Sequence, residues 1–144
     1  MGERYLKMLF AMLKGSQTTL EIFFLTLMFS IPLALLFCSG RMSRVKILSW
    51  ITRAFLLVIR GTPLMLQLLV VYFGPGIFVK WLNGFGYSIV FRWNRFVAAI
   101  IALVVNYACY FAEIYRGGIE SIPKGQYEAA RVLGYTSAQT FFRI

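Results

Sequence analysis

The 144-residue sequence predicts an all-α membrane protein with about three transmembrane helices and a short helical arm after them. Three observations carry this. Apolar residues make up 60% of the chain and charged residues only 14%, whereas a soluble domain carries about 25% charged residues. Two largely apolar runs of 20 residues and a longer, punctuated one lie along the chain, and a 20-residue helix spans about 30 Å, the thickness of the hydrocarbon core. Residues 116–144 are mixed in polarity and contain no run long enough to cross.

Residues 1–17 form an N-terminal amphipathic segment, in which Tyr5, Leu6, Leu9, Phe10 and Leu13 are spaced for a short helix lying on the membrane surface. The first span covers residues 19–38, with Glu21 near enough to its start to reach the interface. A signal peptide is the competing reading, but the run is long for one and no small-x-small cleavage site follows it. Leu35-Leu36-Phe37-Cys38 faintly resembles a lipoprotein site, but the bulk of Phe37 argues against one. The second apolar run extends from Ile47 to about Val79 and is interrupted by Arg53, Arg60 and Pro63. It is too long for one straight crossing, so a span over about 50–76 needs tilt or an irregular turn. Gly74-Pro75-Gly76 is a strong breaker and is expected to mark the exit from lipid. A polar and aromatic loop over 80–95 follows, where Trp81, Tyr87 and Trp93 suit an interfacial belt. The third span covers 96–115.

The net charge of +10 comes from fifteen Lys and Arg against five acids. The bases are scattered between apolar runs rather than gathered on one stripe, which argues against nucleic acid and for basic loops beside anionic headgroups. Three crossings put Arg41, Arg44, Lys46, Arg116, Lys124, Arg131 and Arg143 on one side. Arg4, Lys7, Lys14, Lys80, Arg92 and Arg95 fall on the other, seven against six, so charge only weakly favours a cytoplasmic arm. The absence of histidine excludes a His-ligated metal and a Ser-His or Cys-His nucleophile. Cys38 and Cys109 both fall in apolar runs and suggest neither a disulfide framework nor a metal pair. There is no phosphate loop, and Gly84-x-Gly86 is an incomplete dinucleotide pattern. A membrane enzyme therefore has little support, and no catalytic residue, metal ligand or cofactor is assigned.

Arg60 and Glu113 carry the most information within the spans, because a charge in the bilayer centre costs at least about 2.5 kcal/mol. Arg60, Pro63 and Gln67 follow i, i+3, i+7 and share one helix face; Asn106, Tyr110 and Glu113 follow i, i+4, i+7 and share another. The expectation is that the two polar faces line one passage and that Arg60 pairs with Glu113. The alternative is that Arg60 snorkels to headgroups while Glu113 caps the span end. At Arg60-Gly61-Thr62-Pro63, proline lacks an amide hydrogen and glycine permits unusual torsions, which suits a helix break lining a passage or a simple kink in a packed helix.

In the arm, Pro123 fits the first turn of a helix, Ala129, Val132 and Leu133 make a small apolar face, and Gly134 stops it. Thr136 and Gln139 have capping-box spacing for a second helix, whose apolar face begins with Phe141, Phe142 and Ile144. Two short helices joined at a glycine suit docking into a groove on another protein, or folding against the membrane.

Glu128-Ala129-Ala130, three residues, Gly134, nine residues and Ile144 together resemble the EAA signature of permease subunits of ATP-driven (ABC) importers. Arg60-Gly61-Thr62-Pro63-Leu64, Ala112-Glu113-Ile114-Tyr115-Arg116-Gly117-Gly118-Ile119 and Gly125-Gln126-Tyr127-Glu128-Ala129-Ala130 resemble the polar amino-acid subfamily. The resemblance covers about residues 18–144 and implies a partial permease domain with the type I importer (MetI-like) core. It implies a bacterial inner-membrane, multi-pass subunit that forms the translocation path. The arm, 116–144, becomes a cytoplasmic coupling helix held by an ABC ATPase, and ATP-Mg sits in that partner. A second permease subunit, identical or related, and an extracytoplasmic amino-acid-binding protein are the other implied partners. Gly125, Gln126, Glu128, Ala129, Ala130 and Gly134 carry over as coupling residues. Arg60, Gly61, Thr62, Pro63, Gln67, Asn106 and Glu113 are the candidates for the path. The family signature continues with a Leu-Pro pair just past Ile144 and about two further spans. The competing expectation is thus a truncated, transport-incompetent membrane protein with a structural or regulatory role.

Overall fold

A computed structural model describes residues 2–86, 88–90 and 94–144, and every regular element among them is helical. Tyr87, Arg92 and Trp93, expected in the interfacial loop, lie outside the described residues. The elements are α1 (Gly2–Arg41), α2 (Lys46–Gly61), α3 (Leu64–Asn83), α4 (Arg95–Ser121), α5 (Lys124–Val132) and α6 (Ser137–Arg143). Three helices are long and apolar enough to cross a membrane: α1, α3 and α4.

Residues 2–17 are helical, but they continue without interruption into the first span instead of forming a separate surface helix. The polar residues at the junction satisfy themselves inside the helix. Ser16, Thr18 and Thr19 donate to the carbonyls of Met12, Lys14 and Gly15, and Gln17 Nε2 donates to Glu21 one turn on. Gly15 alone does not stop a helix whose neighbours all keep their bonds.

Of the two alternatives for the second apolar run, tilt or an irregular turn, the structure shows the turn: the run is two helices, broken within Arg60-Gly61-Thr62-Pro63. Thr62 (φ −105°, ψ 143°) and Pro63 (φ −60°, ψ 134°) are extended and separate α2 from α3. The residue before a proline is pushed out of the helical region, so the break falls at Thr62. Gly61 keeps a negative φ, so its freedom is not what makes the break. Arg60 therefore lies in the last turn of one helix, Pro63 lies in the break and Gln67 belongs to the next helix, so the three do not share one continuous face. Nor does Gly74-Pro75-Gly76 break the helix. α3 runs through Pro75 to Asn83, where Trp81 packs edge-on against Phe85 with ring centroids 4.8 Å apart. A single interior proline removes one backbone hydrogen bond, which a membrane helix tolerates.

α4 begins at Asn94, whose side chain accepts a 2.9 Å bond from the Phe96 amide. It extends to Ser121, six residues beyond the expected span end at 115, despite Gly117 and Gly118. Arg116 bonds to Glu113 one turn back and Glu120 one turn on, which holds this stretch helical. α4 is the centre of the bundle and packs chiefly on α1, then on α3 and α2. The core is made of small side chains: Ala34 and Cys38 of α1, and Ala108, Cys109 and Ala112 of α4, closed by Leu56 of α2. Small residues let membrane helices approach closely, which replaces the hydrophobic driving force that lipid removes.

Candidate functional site

Gln67 closes the α2–α3 break. Its Nε2 donates to the Ile59 carbonyl at 2.6 Å, to the Thr62 carbonyl at 3.1 Å and to Thr62 Oγ1 at 2.9 Å. The last carbonyls of a helix have no intrahelical donor, and here a side chain from the next helix supplies one. Thr62 Oγ1 turns back to donate to the Val58 carbonyl at 3.0 Å. The amide oxygen of Gln67 accepts a 2.9 Å bond from Asn106 Nδ2, and Asn106 is buried at 6% exposure. Thr62, Gln67 and Asn106 thus form one polar knot among α2, α3 and α4.

Further along α4, Glu113 faces arginines from three helices. Arg116 Nη2 lies 2.8 Å from Glu113 Oε2 and Arg116 Nε 3.0 Å. Arg60 Nη1 lies 3.9 Å from the same oxygen, and Arg41 Nε lies 3.7 Å from Oε1. Arg116 also grips Glu120. The Arg60 guanidinium stands over the Tyr110 ring, 5.4 Å from its centroid. Arg41 Nε is buried without a hydrogen bond, since 3.7 Å is too long for one. The Arg60–Glu113 approach is therefore one edge of a five-residue cluster, and Arg116 makes the closest contact to Glu113.

Sequence reasoning singled out Arg60 and Glu113 but missed Arg41, Arg116 and Glu120. The last two were readable, because Glu113, Arg116 and Glu120 follow i, i+3, i+7 on one helix. Arg41 had no such signal: its place depends on where α1 ends against α4. The polar residues of the two expected faces do come together, in two groups. Gln67 meets Asn106, and Arg60 meets Glu113 and Tyr110. Gly61 lies at the end of α2 with open space where a Cβ would stand.

The arm is built as two helices around a glycine turn. Gly134 takes φ +74°, the left-handed region. Tyr135 N donates to the Ala130 carbonyl at 2.9 Å and Gly134 N to that of Arg131 at 3.0 Å, the double closure of a Schellman motif. Thr136 and Gln139 make both bonds of the capping box that opens α6. Gly125, Gln126, Glu128 and Ala129 are exposed, whereas Ala130 is buried. Val132 and Leu133 of the first helix and Phe141 and Phe142 of the second are all exposed. Cys38 and Cys109 are free thiols, and no three metal-ligating side chains gather among the described residues.

Residues 26–144 match the family described as binding-protein-dependent transport system inner membrane component. The chain belongs to this family. As an inner membrane component it is 38% identical over 137 residues to the nopaline transport system permease protein NocM of Agrobacterium fabrum, covering 92% of this chain and 55% of that one. It is 35% identical over 130 residues to the L-cystine transport system permease protein TcyB of Bacillus subtilis, covering 90% and 51%. A solved structure titled as the crystal structure of an amino acid ABC transporter with histidines matches at TM-score 0.65 and 35% identity, over 91% of this chain and 59% of that one. This component spans about half the length of the curated relatives it matches. These relatives, with the arginine transport system permease protein ArtQ of Bacillus subtilis, are named as permease proteins of nopaline, L-cystine and arginine transport systems, which agrees with the subfamily that the residues around Arg60, Glu113 and Gln126 resemble.

Proposed function

We propose that the chain belongs to the transmembrane subunit of an ATP-driven amino-acid importer in a bacterial inner membrane, and that α5 and α6 form its coupling arm. The observation that carries this reading is the arm itself. An EAA-type sequence folds around a left-handed glycine at Gly134, and its apolar side chains are turned outward. Val132 and Phe142, 89% and 84% exposed, fit a groove on another protein better than water. In this reading the groove belongs to a cytoplasmic ATPase that holds ATP-Mg. A second permease subunit and an extracytoplasmic binding protein complete the assembly. Glu128, Ala129, Ala130 and Gly134 couple, with Gly125 and Gln126 opening the lever. ATPase closure pushes the arm, and the bundle follows as a set of tilting spans.

The candidate path residues take a supporting role. Gln67 and Asn106 fix how α2, α3 and α4 meet, Thr62 and Pro63 set the break, and Arg60 with Glu113 ties the helices at the end of the bundle nearest the arm. They shape the walls of the passage. The substrate class is amino acids, since the relatives are named for nopaline, L-cystine and arginine transport.

The test is ATP-dependent uptake of labelled amino acids by the complex assembled in proteoliposomes, comparing the parent with Gly134→Val. A β-branched residue at φ +74° strains the turn, so uptake is expected to fall at least about tenfold while ATP hydrolysis continues. Absence of uptake of any amino acid by the parent complex would overturn the importer reading. Unchanged uptake by Gly134→Val would overturn the coupling role alone.

A further inference from the structure

α2 has sixteen residues and is about 24 Å long, short of the roughly 30 Å hydrocarbon core, and it carries Arg53 at its middle. One side of it is committed to the protein. Leu56 is buried in the core, and Ser49 Oγ donates 2.8 Å to the Arg41 carbonyl. At 100° per residue Ile47, Trp50, Ile51, Leu57 and Val58 fall on the opposite side within an arc of about 120°. All five are exposed, Ile47 and Trp50 at 72% and 70%. Lys46, Arg53 and Arg60 follow i, i+7, i+14 and run along one edge of that apolar face.

This basic edge is unequally neutralised. From Ile22 to Ala112 the sequence contains no acidic residue, so cations there depend on an acid from elsewhere in the fold or on something outside the chain. Glu113 reaches Arg41 and Arg60. Arg44, Lys46 and Arg53 are exposed, and the ion pairs among the described residues include none of them. An apolar face bordered by free cations, on a helix too short to span, has the chemistry of a helix lying in a membrane interface.

We propose that α2 lies in the plane of the bilayer and holds the phosphate of an anionic phospholipid with Arg44, Lys46 and Arg53. The aromatic and aliphatic face enters the acyl region, and the cations stay at headgroup depth. Arg60, on the same edge, turns inward to Glu113, so the stripe joins a lipid contact at one end to the internal ion cluster at the other. Each cation near an anionic surface strengthens attachment about fivefold, the equivalent of about 1 kcal/mol.

The experiment uses the chain with Trp50 as its sole tryptophan, through Trp81→Phe and Trp93→Phe, reconstituted in phosphatidylcholine containing brominated lipids. Quenching of Trp50 by brominated phosphatidylglycerol, relative to brominated phosphatidylcholine, gives the local preference for the anionic headgroup. A preference of at least about fivefold is expected, falling close to one in Arg44→Gln/Lys46→Gln/Arg53→Gln. The control Lys7→Gln/Lys14→Gln, on the first turns of α1, should keep it. Protection of the buried thiols Cys38 and Cys109 verifies that each variant is folded. Equal quenching by the two lipids in the parent, or an unchanged preference in the triple variant, overturns the proposal. So does strongest quenching by bromines at the chain ends, which would put Trp50 at the bilayer centre. Absence of quenching by either lipid would mean that a protein surface covers α2, with the same consequence.

Discussion

Asn106 on α4 donates its side-chain amide to the amide oxygen of Gln67 on α3, 2.9 Å away and 39 residues distant in sequence. Gln67 simultaneously caps the end of α2 through the Ile59 carbonyl. Gln67→Leu should therefore strand both the carbonyl and Asn106, and lower stability by about 1–3 kcal/mol. Asn106→Leu should cost less, because Gln67 keeps its bonds to α2. The double variant should cost less than the sum by about 0.5–1.5 kcal/mol, the range of side-chain bonds between membrane helices. Reaction of the buried thiols Cys38 and Cys109 with a fluorogenic reagent during heating supplies the unfolding midpoint. Strictly additive shifts would mean that the Gln67–Asn106 contact does not couple the helices.

Glu113 is the only carboxylate within ion-pairing distance of Arg41 and Arg60 among the described residues, and it shares Arg116 with Glu120. Glu113→Gln removes the charge that three guanidinium groups face, so its cost should exceed that of any one Arg→Gln change. About 2–3 kcal/mol is expected for Glu113→Gln, and under about 1 kcal/mol for Arg60→Gln, whose side chain is 38% exposed. The swap Arg60→Glu/Glu113→Arg should not restore stability, because the new cation faces Arg41 and Arg116. Full rescue by that swap, read as thiol-reaction midpoints in low salt, would show that Arg60 and Glu113 act as an isolated pair.

The helices over 19–38 and 96–115 were readable because each is a largely apolar run of membrane length, and α1 and α4 contain them. The capping box at Thr136 and Gln139 and the turn at Gly134 were readable because both depend on local backbone chemistry. In the middle run the break at Arg60-Gly61-Thr62-Pro63 was readable as one of two alternatives, but the shared face drawn across it was not sound. Arg60, Pro63 and Gln67 fit a single helix wheel only if the helix is unbroken, and Thr62 breaks it. Gly74-Pro75-Gly76 also read as a strong breaker, yet α3 passes through it. Which of two proline sites interrupts a helix depends on what satisfies the freed carbonyls. At Pro63 that is Gln67, whose own oxygen is held by Asn106 from a distant part of the chain. Arg41 was unreadable for the same reason: its partner is set by helix packing, not by spacing.

A close approach of α1 and α2 at Gly40 and Thr52 offers a test of that packing. A Cβ added to Gly40 would stand 2.9 Å from Thr52 Oγ1 and 3.6 Å from its Cγ2. Thr52 cannot easily turn aside, because its hydroxyl donates 2.9 Å to the Leu48 carbonyl and threonine in a helix has few rotamers. Gly40→Ala gains helix propensity worth about 1 kcal/mol but meets a contact shorter than real Cβ atoms accept. The clash should win, for a net loss of about 1–2 kcal/mol, since overpacking typically costs about 1–3 kcal/mol. Thr52→Ala removes both crowded atoms and leaves the Cβ at 3.7 Å, an ordinary contact. Gly40→Ala/Thr52→Ala should therefore recover the parent midpoint or exceed it. If Gly40→Ala is neutral on its own, or if Thr52→Ala fails to relieve it, α1 and α2 do not meet at these two residues.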